Sequence, residues 1–202
     1  MSRIETIAQL EAIYDAKPSD AAIRKVATRM TPLYRKWIMS SRFMVLSTVG
    51  PGGTDGSPRG DDGPVVSELD ENHLAIPDWR GNNRLDSLRN IVQDGRVSLM
   101  FMVAGSSTVV RVNGSAELRD DDALTHQFEV KGRHPKTVIV VRIAEIYTQC
   151  ARAILRAGLW DRLEVSPELP SPGDILVEMT NGEFDGATYD SEWPARAKAT
   201  MW

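Results

Sequence analysis

The chain has 202 residues and a mass of 22.4 kDa, which suits one domain or one domain with short appendages. Its 28 acidic and 24 basic side chains give a net charge of -4, which argues against a dedicated nucleic-acid binder with its basic excess. A mean hydropathy of -0.28, with no apolar run near the length of a membrane helix, excludes a membrane span. The N-terminal segment 1–17 lacks the continuous apolar stretch of a signal peptide. One cysteine and three dispersed histidines indicate neither a disulfide nor a metal site. We therefore expect a soluble, compact, cytoplasmic protein.

The first forty residues are typical of helices. Apolar residues at helical spacing predict a first helix that ends at Lys17-Pro18. A second helix is predicted to start at the capping signal Ser19-Asp20 and to carry an apolar face as far as Met30. Pro32 then marks a helix start or a kink.

From Phe43 onward the pattern changes to strands. The turn-forming stretch 51–58 is interpreted as the connection between the first two strands. The segment 96–103 is apolar on both faces, which predicts a fully covered strand. One helix is predicted over about 84–93, closed by Gly95. The predicted strands are 43–49, 64–69, 73–77, 96–103, 108–119 and 137–150, the last followed by a short helix.

About six strands with one inserted helix do not make a repeating strand-helix-strand pattern, which disfavours a doubly wound fold. The sequence instead predicts a mainly β, α+β protein: a six-stranded antiparallel barrel with N-terminal helices and a helix inserted between strands. The proline-rich tail is predicted to begin as an extended linker at Ser166 and to end in a helix over about 190–199. The predicted organisation is a helical segment over 1–40, the barrel over 41–165 and a C-terminal extension over 166–202. We expect that extension to pack on the barrel or on a dimer partner.

The most informative segment is 76–90. Asn83 suits an N-cap and Asp86 lies three residues later, as a capping-box acid would, so the helix is predicted to begin at Arg84. The free backbone N–H groups of that first turn, with Arg80 and Arg84 beside them, can form a phosphate site. The alternative is a well-capped helix with two solvated arginines, and spacing alone favours that alternative.

Three other positions have two interpretations each. Arg59, within 57–64, belongs either to a surface loop or to a ligand site. Arg111, within 111–114, is either an exposed strand arginine or a contact for an anion or carbonyl at a cavity. Cys150 has no base that the sequence assigns to it, so a buried structural thiol is favoured over a nucleophile.

The order of several motifs resembles that of the pyridoxamine 5′-phosphate oxidase-like flavoproteins, and within them the bacterial branch known only as FMN-dependent enzymes. The resemblance runs from about Ile4 to Asp161, and its most specific part is the combination of GNNRLDSL with RVNG at this separation. It implies an FMN-binding split barrel that works as a homodimer, with the flavin at the subunit interface. The motifs are SPRGDDGP, IPDWRGNNRLDSLRN, RVSLMFMV, VVRVNGSAEL and YTQCARAILRAGLWD.

The resemblance also implies roles for residues. Arg84, preceded by Asn83, takes the place of the basic residue that binds the FMN phosphate in the family. Pro77–Asp78 corresponds to the strand end along the isoalloxazine and ribityl chain, and Arg59–Asp61 to a basic flavin contact. The partner subunit is expected to contribute residues near Gln149–Cys150. The full set of candidate cofactor-binding residues is Arg59, Gly60, Asp61, Pro77, Asp78, Arg80, Asn83, Arg84, Arg111 and Gln149.

The chain departs from the true pyridoxamine-phosphate oxidases at several points. They carry Ser-Arg-Lys where this chain has residues 82–84, and a glutamine where Val109 stands. Their C-terminal tryptophan followed by an Arg-Leu-His run is not found around Trp193 or Trp202. The resemblance therefore favours FMN binding and puts vitamin B6 oxidation in doubt.

The function expected from the resemblance is an FMN-dependent oxidoreductase that acts on an unidentified small molecule. FMN supplies the hydride chemistry itself, which explains why the sequence offers no acid–base dyad. Two alternatives stay open at this point. One is a binder of deazaflavin or haem on the same fold, and the other is a non-catalytic flavin carrier or sensor.

Overall fold

A computed structural model describes residues 3–14, 17–161 and 168–201 of the chain. The helices are α1 (Ile7–Ile13), α2 (Asp20–Arg24), α3 (Pro32–Ile38), α4 (Asp86–Gln93), α5 (Asp122–Thr125), α6 (Arg152–Ala157), α7 (Pro172–Met179) and α8 (Gly186–Ala199), with a short 3₁₀ helix at His126–Phe128. The strands are β1 (Phe43–Gly50), β2 (Gly53–Gly60), β3 (Ser67–Asp70), β4 (His73–Pro77), β5 (Arg96–Met102), β6 (Val109–Arg119) and β7 (Val138–Gln149). No helix among these residues is long and apolar enough to cross a membrane.

The strands form one antiparallel sheet in the order β2-β1-β5-β6-β7-β4-β3, which confirms the mixed, mainly β fold. It has seven strands rather than the predicted six. The additional strand is β2, whose residues the sequence interpretation assigned to a turn. Its Pro58 lies opposite Val45 and cannot donate to the ladder, but β2 is an edge strand, where a missing N–H is tolerated.

The sheet is rolled into a split barrel. In a flat sheet the five strand spacings between β2 and β4 would separate them by roughly 24 Å, at about 4.8 Å each. Instead the Nη1 of Arg59 on β2 lies 2.6 Å from the Oδ1 of Asp78, directly after β4. The sheet therefore curves until β2 and the C-terminal end of β4 meet across a gap, and the candidate functional site described below lies at that gap.

A bulge in β7, where it pairs with β6, helps the sheet to curve. The pairing register shifts between Asn113, opposite Glu145, and Gly114, opposite Ile143. A Cβ on Gly114 would lie 2.0 Å from the Arg142 carbonyl oxygen, so only glycine allows the two backbones to approach this closely.

The strand β5 shows how one face of the sheet makes the core. Val97, Leu99 and Phe101 point inward and are buried, whereas Met100 and Met102 on the other face remain partly exposed. The expectation of a strand covered on both faces is therefore wrong for this chain by itself. The outer face of β5 is partly open to solvent.

The N-terminal helices are shorter than predicted. Thr31 caps α3, which begins at Pro32 as the sequence indicates. The helix α2 ends at Arg24, however, and Ala27 exchanges two backbone hydrogen bonds with Ile146 instead of continuing it. Pairing with the sheet replaces the helical turn that the apolar spacing predicted.

The C-terminal extension contains two helices within the described residues 168–201, where the sequence predicted one. Ser171 caps α7, and α8 begins at Gly186, four residues before the predicted start, with Pro194 inside it. The helices touch through Gly173, where a Cβ would lie 2.4 Å from the Gly186 carbonyl oxygen. Ser166 and Trp202 lie outside the described residues. The division into three segments stays a prediction.

Candidate functional site

A cleft of about 1750 Å³ opens at the split of the barrel. Its walls are β2, the end of β4, the segment 78–85, the start of α4 and the loop 132–137. Eight of the ten predicted site residues line it: Arg59, Gly60, Asp61, Pro77, Asp78, Arg80, Asn83 and Arg84. The sheet curvature thus brings together residues that belong to two distant strands and one loop.

An ion pair between Arg59 and Asp78 lines this cleft. Their side chains are 18% and 19% exposed, so the pair is largely withdrawn from water. Asp78 accepts from the Nη1 of Arg59, while the Nε of Arg59 is buried and has no hydrogen-bond partner among the described residues. A buried donor of this kind is costly unless a ligand supplies an acceptor.

The helix α4 begins later than the sequence predicts. Its first residue is Asp86, and Leu85 precedes it in the left-handed region at φ 60° with no side-chain cap. Asn83 is also left-handed, and the backbone N–H of Arg84 donates to the Oδ1 of Asn82 at 3.1 Å. Asn83 as N-cap and Arg84 as first helical residue are therefore wrong, because the asparagine side chain forms a local turn that competes with the helix.

Arg84 therefore lies on the cleft wall and not in the first turn of a helix. Its side chain is 75% exposed, and its Nε donates to the Oδ2 of Asp86 at 2.9 Å. The guanidinium can still reach an anion in the cleft. The backbone N–H of Arg84 is already used by Asn82, so the predicted convergence with the free N–H groups of the helix is lost.

The other acids of the cleft have partners within the chain. Ser87 donates to Asp55, and the indole Nε1 of Trp79 donates to the Oδ2 of Asp61 at 3.2 Å. Arg80, in contrast, is exposed and has no hydrogen bond or ion pair within the described part of the chain. The cleft is therefore able to attract an anion although its acids and bases are mixed.

The two remaining candidates lie outside the cleft. Arg111 is on the outer face of the sheet, with its guanidinium 5.5 Å from the ring centroid of Tyr147 and with Met100 opposite it. Gln149 ends β7 on the same outer face, opposite Val109. The structure does not bring these two residues into the cleft of their own chain.

Sequence reasoning missed the loop 132–137. It overlaps the segment KGRHPK at 131–136, which has four basic residues among six, but nothing in the sequence connects this loop with the segment 78–85. The pairing of β4 with β7 makes that connection, and the N–H of Asp78 donates to the Thr137 carbonyl at 3.0 Å.

Cys150 is exposed, so the expectation of a buried thiol is wrong. Residues 3–14, 17–161 and 168–201 contain no cluster of three side chains suited to a metal ion.

A comparison with protein families assigns this chain to a family. Residues 30–150, more than half of the chain, match the family described as pyridoxamine 5′-phosphate oxidase. The chain belongs to this family. The match to the pyridoxamine 5′-phosphate oxidase family includes every candidate site residue, from Arg59 to Gln149, and stops before α6. No curated protein sequence matches the chain.

Solved structures match between 56% and 59% of this family member. HupZ from Group A Streptococcus is 16% identical with a TM-score of 0.48, over 59% of this chain and 94% of HupZ. An FMN-binding protein from Syntrophomonas wolfei is 14% identical with a TM-score of 0.43, over 57% and 88%. General stress protein 26 from Bacillus anthracis is 17% identical with a TM-score of 0.40, over 56% and 88%. Because these TM-scores are below 0.5, the family assignment rests on the family match over residues 30–150.

Proposed function

We propose that the chain is an FMN-dependent oxidoreductase that binds the flavin in the cleft at the split of the barrel and acts on a small molecule. The observation that carries this proposal is the cleft itself, which combines guanidinium groups with an apolar wall. A flat ring with a phosphate-bearing side chain needs both features.

The residues present fit such a group. Leu85, which is 45% exposed, and the partly exposed Leu88 and Trp79 give the cleft its apolar surface. The unpartnered Nε of Arg59 offers a buried donor for a carbonyl or hydroxyl oxygen of the ligand. Arg80, which has no partner in the described chain, offers a charge for the phosphate.

Each of these residues has a separate task in the proposed site. Arg80 and Arg84 bind the phosphate. The carboxylate of Asp78 holds the guanidinium of Arg59 in one orientation, so that the Nε of Arg59 is fixed for the ligand. The hydrogen bond from Trp79 to Asp61 fixes an aromatic wall beside the ring. When bound, FMN supplies hydride or electron transfer, so the protein needs only to orient the substrate.

We also propose that two copies of the chain complete the site. A cross-strand row on the outer sheet face contains Val45, Met100, Arg111 and Tyr147, all partly exposed. The row beside it contains Gln149. Covering this face with a second copy would shield the methionine and direct Arg111 and Gln149 towards the partner's cleft. An interface of this kind buries more than about 2,000 Å².

Light scattering at micromolar concentration tests the assembly. We expect twice the chain mass. Substitution Met100→Asp places a charge on the outer face and should release monomers that have lost flavin affinity. A wild-type monomer that binds FMN fully would contradict the shared site.

The absorbance spectrum of the purified protein, with mass spectrometry of the released ligand, tests the cofactor. We expect the two-banded spectrum of an oxidised flavin and the mass of FMN, followed by bleaching with NADH or NADPH and turnover on an acceptor. A haem spectrum or selective uptake of deazaflavin would overturn the choice of FMN. Flavin that is bound but never reduced by a donor would indicate a carrier or sensor.

A further inference from the structure

Two helix faces outside the family match are exposed in the single chain and carry opposite charges. One belongs to α6 and the other to α7, and both helices come after residue 150, where the match to the family ends. We propose that α7 of each copy packs on α6 of a second copy, so that the C-terminal extension joins two chains. The inference rests on the proposed assembly of two copies and does not depend on the flavin.

The exposed face of α6 is apolar and basic. Leu155 and Leu159 are 64% and 43% exposed. Arg152 and Arg156 lie on the same face, because residues three and four apart are neighbours on a helix. Neither guanidinium has a hydrogen bond or ion pair within the described part of the chain. With no acidic residue in 150–160, this face suits a partner that is both apolar and acidic.

Contacts with the barrel fix the position of α6. The indole Nε1 of Trp160 donates to the Ser106 carbonyl at 2.7 Å, in the loop between β5 and β6. The N–H of Leu159 donates to the Ile154 carbonyl at 3.3 Å, which holds this leucine against the end of the helix. The helix begins three residues after Gln149, the last residue of β7. The exposed face of α6 is therefore adjacent to the outer sheet face of the proposed dimer.

The exposed face of α7 is apolar and acidic. Its opposite face is already used by α8, since a Cβ on Gly186 would lie 2.8 Å from the Cγ2 of Val177. Ile175 and Met179 remain 51% and 73% exposed. The carboxylate of Glu178, beside Met179, has no hydrogen bond or ion pair with any described residue. Two apolar side chains and a free carboxylate are thus available to a partner.

The helices α7 and α8 form a rigid, negatively charged hairpin. The carboxylate of Asp190 on α8 accepts from the backbone N–H of Gly173 at 2.9 Å and from the Ser171 hydroxyl. Asp174 completes the cap of α7 by accepting from the N–H of Ser171 at 2.8 Å. Residues 168–201 contain seven acidic and two basic side chains. Two such hairpins would repel each other, so a basic helix fits this face better than a second hairpin.

The spacing of the two faces matches. On α6 two arginines lie four residues apart and so do two leucines, and α7 repeats this pattern with two acids and two apolar residues. Helices commonly pack through ridges of residues four apart, so the apolar pairs can meet while the opposite charges pair beside them. A two-fold dimer makes this contact twice and is then closed, because each copy offers both faces. These features favour a second copy of this chain as the partner.

Reversal of one charge on each helix tests the inference. Arg156→Glu and Glu178→Arg each place like charges at both contacts of a homodimer. We expect each variant to dimerise at least about tenfold more weakly than the wild type in sedimentation equilibrium. An equimolar mixture of the two variants should regain wild-type dimerisation, because both contacts of the mixed dimer again join opposite charges. The matched control is Glu192→Arg, the same charge change on α8 of the same hairpin, which should leave dimerisation unchanged.

The outcomes separate the helix contact from the proposed outer-face interface. Wild-type dimerisation of both variants overturns the inference. A mixture that dimerises as weakly as its components also overturns it, because a contact within one chain, or with a different protein, is not regained by mixing. Equal weakening by Glu192→Arg overturns it as well, since the total charge of the extension would then decide the assembly.

The outer sheet face has its own test. If Met100→Asp keeps the wild-type mass while Arg156→Glu loses it, the helix contact stands and the outer-face interface fails. The reverse result leaves the outer-face interface and overturns the helix contact. A monomeric wild type overturns both.

Discussion

The ion pair between Arg59 and Asp78 is expected to hold β2 against the C-terminal end of β4, and Arg59→Met tests this. Methionine keeps much of the side-chain length but removes the charge, which leaves the carboxylate of Asp78 unpaired at 19% exposure. Breaking a fully buried pair by removing one partner costs about 3–5 kcal/mol. Because about a fifth of each side chain is exposed, we expect about 2–3 kcal/mol here.

This loss should be visible as a lower melting temperature. For a chain of this size, 1 kcal/mol shifts the midpoint by about 2–4 °C, so Arg59→Met should melt about 5–10 °C lower. The control is Arg84→Met, which breaks the pair with Asp86 in the same cleft. Those side chains are 75% and 45% exposed, and the shift should be much smaller.

A double variant separates lost attraction from the penalty of an unpaired charge. Arg59→Met combined with Asp78→Leu replaces the pair by apolar groups and should recover most of the lost stability. The reasoning is refuted if Arg59→Met and Arg84→Met melt at the same temperature. It is also refuted if the double variant is less stable than Arg59→Met.

Two further predictions concern the backbone and the C-terminal helices. Gly114→Ala should destabilise the protein by about 3 kcal/mol or more in chemical unfolding, because the new Cβ meets the Arg142 carbonyl, whereas Gly52→Ala has open space and should be neutral. The backbone N–H of Thr188 holds the pKa of Asp185, the N-cap of α8, below its ordinary value. The ionised Asp185 therefore stabilises the folded state at pH values above the pKa that this residue has in the unfolded chain. This stabilisation is lost as the pH falls through the pKa of Asp185 in the folded state. In Asp185→Asn, hydrogen exchange of the α8 amides should not show this pH dependence.

The sequence predicts most strands of the barrel because buried apolar residues alternate along them with residues of the outer face. The inward residues Val97, Leu99 and Phe101 follow the period of two that a strand requires, and the family resemblance supplies the topology. The strand β2 could not be predicted, because its glycines and Pro58 have turn propensity. Only pairing with β1 at the edge of the sheet makes that segment extended.

Eight of the ten predicted site residues line the cleft, whereas the local geometry at the start of α4 differs from the prediction. Asn83 satisfies the rules for an N-cap, but the neighbouring Asn82 satisfies the rules for a turn equally well, and single-chain patterns do not decide between them. The loop with Lys136 was missed for a different reason. Its place beside Asp78 depends on a pairing between strands about sixty residues apart, which no local pattern contains.

The central claim is that the cleft at the split of the barrel holds the flavin. The most direct test compares the binding of FMN and of riboflavin to the wild type and to Arg84→Ala. Riboflavin lacks the phosphate, so the account predicts that Arg84→Ala weakens FMN about tenfold and leaves riboflavin nearly unchanged. Arg89→Ala is the control, since Arg89 lies on α4 and does not line the cleft. Equal weakening of both ligands by Arg84→Ala, or the same effect from Arg89→Ala, would contradict the account.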